Sequence, residues 1–161
     1  MDDNRRILPD FLHRTYTQIV NDTERLDVSV VNTLLPGDLT GIYDEATKLI
    51  LIDQRLISAQ QRCTLAHELV HWEHADETCS GTLGSKIERH TRMETASKLI
   101  RPCEYALAEN EYDGDTYAIA CELDVTVQVI EDFRNYLAMV PAMTDRRQRA
   151  FCQSRRSTGG I

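Results

Sequence analysis

The sequence predicts a small α+β domain in which a few short strands precede a run of helices. Three observations predict it. Stretches rich in Val, Ile and Leu lie before residue 53 and are broken by Pro36-Gly37 and by Asp44-Glu45-Ala46-Thr47. From Ser58 onward apolar residues recur at helical rather than alternating spacing. The 161 residues suit one domain with a proper core, with room for a small appendage.

The elements follow in order. Phe11 to Val20, after Pro9, reads as a short amphipathic helix. Leu26 to Leu35 reads as a strand stopped by Pro36-Gly37. Leu39–Tyr43 and Lys48–Ile52 pair as an antiparallel hairpin, and Leu49-Ile50-Leu51-Ile52 has the composition of a buried strand. A buried strand just ahead of a functional helix also offers, as one reading, an edge on which an extended peptide pairs. Ser58-Ala59-Gln60-Gln61 has the S-x-x-Q form of a capping box and starts the next helix. Thr78 to Gly84 reads as a loop, about Ser85 to Ile100 as a second long helix ending before Pro102, and the remainder as helical to about Met139. The tail from Asp145, with five arginines and Ser157-Thr158-Gly159-Gly160, reads as solvated and disordered.

The formal net charge of −8 argues against broad affinity for nucleic acid or membrane surfaces. The five cysteines (Cys63, Cys79, Cys103, Cys121, Cys152) are odd in number and form no C-x-x-C, so they read as reduced thiols rather than a disulfide frame or a cysteine-rich zinc site. Met1-Asp2-Asp3-Asn4 opens no apolar leader, and no apolar run is long enough to span a membrane. A cytoplasmic protein is the expectation.

His67-Glu68-Leu69-Val70-His71 carries the chemistry. The pattern H-E-x-x-H places two imidazoles one turn apart on the same helix face, where both can grip one zinc ion, with Glu68 between them as the general base of a metallopeptidase. On a merely solvated helix these would be ordinary polar residues. Leu65, Leu69 and Trp72 argue otherwise, because at about 100° per residue they form an apolar stripe opposite His67 and His71. One face then packs on the core while the histidines look into a cleft.

A catalytic zinc takes three protein ligands and leaves one position open. Downstream candidates for the third are His74, Glu88, His90 and Glu94. His74 lies past the metal, at the helix end. On the following helix Met93, Ala96, Leu99, Ile100 and Cys103 share one face. Glu88 falls at the edge of that face and Glu94 on the opposite, polar side. Glu88 is the preferred ligand, and Glu94 stays open. Tyr43, Tyr105, Tyr112 and Tyr117 are candidates by residue type for the oxyanion stabiliser such a site needs.

From about Gly41 to Ile100 the chain resembles the ImmA/IrrE family of zinc metallo-endopeptidases, of phage and actinobacterial type. The resemblance rests on Gly41-Ile42-Tyr43, on Leu49-Ile50-Leu51-Ile52, on Gln61 through His71, and on Glu88 through Leu99-Ile100. It implies a zincin-like domain over residues 1–104, followed by a helical, helix-turn-helix-like extension over 105–142 and the tail over 143–161. It further implies Zn²⁺ on His67, His71 and Glu88, and a protein substrate. That substrate is a helix-turn-helix repressor, whose cleavage relieves phage, mobile-element or stress-gene repression. Counting back from Leu99-Ile100 also favours Glu88. The sequence departs from the family at Arg92, where an Asp or Asn is common four residues after the ligand Glu and orients a ligand histidine.

A rival reading comes from Ala120 to Thr126 followed by Val129, Ile130 and Phe133, which has the look of a helix-turn-helix with Thr126 capping the second helix. It would make the protein a metal-binding transcription regulator, or an anti-repressor acting by binding without cleavage. Between Glu111 and Asp132 there are seven acidic residues and no Lys or Arg, which opposes direct DNA binding. The unit reads instead as packing, or as a dock for the substrate protein.

Overall fold

In the computed structural model, which describes residues 6–75 and 81–140, the chain forms α1 (Tyr16–Thr23), β1 (Ser29–Thr33), β2 (Gly41–Asp44), β3 (Leu49–Asp53), α2 (Ser58–His74), α3 (Gly81–Leu99), α4 (Pro102–Glu111), α5 (Thr116–Glu122) and α6 (Val127–Met139). The class is α+β, as the sequence indicates. The arginine tail lies outside the described residues, as do the first residues of the expected Thr78–Gly84 loop. Gly81 to Gly84 belong to α3 instead of that loop.

Helix α1 starts later than the apolar pattern implies. Thr15 caps it, accepting from Gln18 N–H while the Gln18 side chain accepts from Thr15 N–H at 2.9 Å. That reciprocal pair satisfies two donors at once and fixes the start. Phe11, read as part of the helix, fills the core from the preceding turn.

The sheet runs β1-β3-β2. β2 and β3 form the expected hairpin, with Tyr43 opposite Ile50. Asp44 organises its turn, accepting from Ala46 N–H at 3.0 Å and from the Thr47 hydroxyl at 2.7 Å. β1 pairs with the other edge of β3 in parallel, with Val30 opposite Ile50, so the sheet is mixed and not antiparallel throughout. β3 is therefore central, and both its edges are already paired. A peptide cannot add to Leu49–Ile52, and the outer edge of β2 is the one the sheet leaves open on that side.

The β1–β2 connection is tied down from the end of β3. Asp53 accepts from Leu35 N–H at 3.3 Å and from Arg55 N–H at 2.7 Å, and the Arg55 guanidinium donates to Leu35 O and Gly37 O at 2.9 and 3.1 Å. These bonds hold the carboxyl well below the usual carboxylate range, the Arg55 side chain contributing most.

Helix α2 is the centre of the fold. Leu65, Leu69 and Trp72 are buried as their spacing predicts, but so are Arg62, Cys63, Ala66, Glu68 and Val70. The helix is covered by the sheet on one side and by α1 and α3 on others. Its cap sits one residue earlier than the S-x-x-Q pattern: Ile57 is the N-cap, and Gln60 Oε1 takes the Ile57 N–H at 3.1 Å. Ser58 is already helical. α6 packs along α3 and buries Val129, Ile130 and Phe133, and the Phe133 ring lies 5.1 Å from that of Tyr105. Thr126 caps α6 as expected, accepting from Val129 N–H at 3.3 Å. No helix among the described residues is long and apolar enough to cross a membrane.

Candidate metal centre

One turn of α2 separates His67 from His71, and their rings meet edge-on with centroids 4.7 Å apart. Their Nε2 atoms lie 3.1 Å from each other. α3 crosses beside them and brings in Glu88, whose Oε1 is 3.3 Å from His67 Nε2 and whose Oε2 is 3.3 Å from His71 Nε2. Three donors on two helices thus converge on one point.

These separations suit a tetrahedral ion. With metal–ligand bonds of about 2.0–2.1 Å, the edge of a tetrahedron is about 3.3–3.4 Å. Two imidazoles and one carboxylate are a zinc-type donor set, and three protein donors leave a fourth position open. Hydrogen bonds from His67 and His71 hold the Glu88 carboxyl well below the usual range, keeping it anionic.

Glu68 points from the same helix into the same cleft yet is buried. Burial pushes its carboxyl up, while the neighbouring His67 and His71 and the Tyr43 backbone N–H pull it down. The strand β2 presses directly on this side chain. A Cβ at Gly41 would lie 3.0 Å from Glu68 Oε1 and 2.5 Å from Thr64 Cγ2, so only glycine lets the strand approach this closely.

Glu94 and His74 meet elsewhere. His74 Nε2 is 2.8 Å from Glu94 Oε2 at the end of α2, and Lys98 stands 3.3 Å from Glu94 Oε1. With Glu73 they form a second, separate His/Glu group. His90 is exposed beside it, 3.9 Å from Glu94. Glu88 thus lies with His67 and His71, and Glu94 with His74.

None of the four tyrosines borders the cleft. Tyr43 is buried and donates to Glu45. Tyr105 donates to Glu109 at 2.6 Å, Tyr112 donates to Glu122 at 3.0 Å, and Tyr117 is exposed. The cleft, about 350 Å³, is lined instead by Thr40, by Gln60 and Thr64 of α2, by Arg92 and Thr95 of α3, and by Thr126, Gln128, Val129 and Asp132 of α6 and its cap. Sequence reasoning missed Asp132. A signal was present, for Asp132 sits beside Val129 on the apolar side of α6, and an acidic residue there needs a partner. Its neighbours are Gln128 Nε2 at 3.3 Å and Arg92 Nε at 3.6 Å.

Residues 23–134 match the Peptidase_M78 family, the IrrE N-terminal-like domain. The chain belongs to that family. The match runs from the end of α1 into α6, so the Peptidase_M78 region takes in the sheet, both helices of the His/Glu cluster and most of the helix that walls the cleft. Membership gives the His/Glu cluster the context of a peptidase family. No curated protein sequence matches. Among solved structures, a Mycobacterium tuberculosis transcriptional regulator aligns with a TM-score of 0.54 at 15% identity, covering 78% of this chain. The chain spans 41% of that regulator's length. At this identity the likeness is one of fold.

Proposed function

We propose that this chain is a cytoplasmic, zinc-dependent endopeptidase that cleaves a helix-turn-helix repressor and so relieves phage, mobile-element or stress-gene repression. One observation carries the reading: two imidazoles and a carboxylate converge at tetrahedral spacing, with a second, buried carboxylate beside them. In this reading His67, His71 and Glu88 hold the metal through Nε2, Nε2 and the carboxylate, each histidine keeping its proton on Nδ1. Zinc bound there supplies Lewis acidity, polarising a carbonyl and making water acidic near neutral pH. Glu68 takes a proton from the attacking water and delivers it to the leaving amine. Burial suits it to both tasks, because a raised carboxyl pKa brings it closer to working pH. The outer edge of β2, whose approach Thr40 borders the cleft, is where an extended peptide would pair. The helical extension over 105–142 contributes the opposite wall.

A second reading is a regulator that acts by binding without cleavage; the solved neighbour of similar fold is a transcriptional regulator. Direct DNA reading by α6 fits poorly, because its buried face is spent on α3 and its surroundings are acidic.

The test is incubation of the purified protein with the repressor encoded beside it, with and without chelator, followed by mass spectrometry of the products. Metal-dependent scission that Glu68→Gln abolishes at unchanged zinc content is expected. Cleavage by Glu68→Gln at the wild-type rate would overturn the mechanism. Stable binding with no scission would favour the second reading.

A further inference from the structure

Several arginines of this fold spend their donors on the protein itself. The Arg62 guanidinium donates to three backbone carbonyls, Arg134 to Tyr105, Thr116 and Gly114, and Arg55 to Asp53, Leu35 and Gly37. Arg92 differs. Among the described residues its Nε is shut away from solvent without a hydrogen bond, its ion-pair neighbour is Asp132 at 3.6 Å, and its half-exposed side chain borders the metal cleft. It is, among the described residues, the only Lys or Arg lining that cleft, whose other charged walls are Glu68, Glu88 and Asp132. It also stands one helical turn beyond Glu88, on the same face of α3.

A guanidinium has five donors in a planar fork and stays charged at any working pH. Among the described residues no acceptor is hydrogen-bonded to that fork, so it is free to meet a ligand oxygen beside the cleft. Asp132 is nearly fully buried and lies 3.6 Å from Arg92 Nε, and both residues line the cleft. The tyrosines that would otherwise serve are all committed elsewhere or lie off the cleft.

We infer that Arg92 is the oxyanion contact of this site, with Asp132 as its positioning residue. The inference rests on the peptidase reading. As water adds to the scissile carbonyl a C–O bond forms, and the carbonyl π pair moves onto its oxygen. Arg92 donates to that oxyanion. When the C–N bond breaks, the pair returns to re-form the carbonyl, and the amine leaves with the proton carried by Glu68. Donors aimed at developing charge stabilise it without reorganising at the moment of reaction.

The test uses the zinc-loaded full chain and inorganic phosphate, a tetrahedral anion, as probe. Phosphate affinity is measured calorimetrically at constant ionic strength for the wild type, Arg92→Gln, Arg92→Lys and the exposed Arg89→Gln as control. Arg92→Gln should weaken phosphate by about tenfold or more at unchanged zinc content, because a charge-assisted fork is lost. Arg92→Lys should recover part of it, and Arg89→Gln should match wild type. With a cleavable repressor in hand, Arg92→Gln should lower kcat about 10²- to 10³-fold with little change in KM. Phosphate binding by Arg92→Gln as tight as wild type, an equal loss in Arg89→Gln, or no phosphate binding by wild type would each overturn the assignment. Should Arg92→Gln fail to fold, Arg92→Gln/Asp132→Asn removes the orphaned carboxylate and is compared with Asp132→Asn. Intact phosphate behaviour in a protein that cleaves nothing would sink the peptidase reading and leave the anion contact standing.

Discussion

Replacing Gly41 by alanine tests the closeness of β2 to the proposed general base. The new methyl would lie 2.5 Å from Thr64 Cγ2, 3.0 Å from Glu68 Oε1 and 3.1 Å from Glu68 Cγ. Non-bonded carbons rest about 3.5–4.0 Å apart, so strand and helix must separate by about 1 Å, or both side chains must leave their positions. Overpacking on this scale costs about 1–3 kcal/mol. In a domain of this length that lowers Tm by roughly 2–12 °C. The catalytic consequence is larger, because a displacement of about 1 Å at a reacting group costs about 10²-fold in rate. The backbone at Gly41 has no positive φ, so the effect is steric and can be relieved sterically. Thr64→Ser deletes the atom at 2.5 Å. Added to Gly41→Ala, it should restore most of the lost stability while leaving turnover low, since the Glu68 contacts persist. Thermal denaturation followed by circular dichroism reads the first effect, and repressor cleavage reads the second. An alanine variant with wild-type Tm and wild-type turnover would refute the packing argument.

Further outcomes follow from the same geometry. Glu88→Ala should drop zinc well below one per chain by elemental analysis, whereas Glu94→Gln should leave it unchanged; the reverse pattern would move the third ligand to the His74 cluster. Asp53 is held below its ordinary range chiefly by the Arg55 side chain. A depressed carboxyl stabilises the fold fully above its unfolded-state pKa, about 3.9, and loses that contribution as pH falls through and below it. Tm plotted against pH should therefore fall less steeply on the acid side in Asp53→Asn, and an unchanged acid limb would contradict the assignment. Phe133→Ala removes a fully buried ring shared by α6, Tyr105 and Tyr136 and should cost about 3–5 kcal/mol in urea unfolding. Burial pushes the Cys63 thiol up to about 11. Iodoacetamide at mildly alkaline pH should then label exposed Cys121 and spare Cys63, as peptide mapping would show.

What the sequence made legible was whatever depends on local spacing. The hairpin followed from two apolar runs around a polar turn, and helical phase on α3 proposed Glu88 as the carboxylate that lies beside His67 and His71. Features set by distant packing were not readable. The parallel pairing of β1 depends on how the loop from Leu34 to Thr40 is anchored by Asp53 and Arg55, and no strand pattern encodes that direction. Phe11 carried an apolar signal that belonged to the core and not to a helix. The cap of α2 shifted by one because Gln60 and Gln61 offer the same chemistry to adjacent backbone donors. Arg92 and Asp132 come from helices forty residues apart in the chain, so their pairing exists only once α6 has packed on α3.

Arg62 draws these distant parts into one unit. Its buried guanidinium, carried on the zinc-type helix α2, takes Phe11 O at 3.1 Å and Arg14 O at 2.7 Å from the N-terminal turn, and Asp124 O at 2.7 Å from the turn between α5 and α6. The three carbonyls come from two stretches of chain more than a hundred residues apart. A chain cut after residue 104 would strand part of that charge in the interior without its acceptor, which is costly for a buried ion. The histidine-bearing helix and the α5–α6 turn are thus joined through one buried side chain.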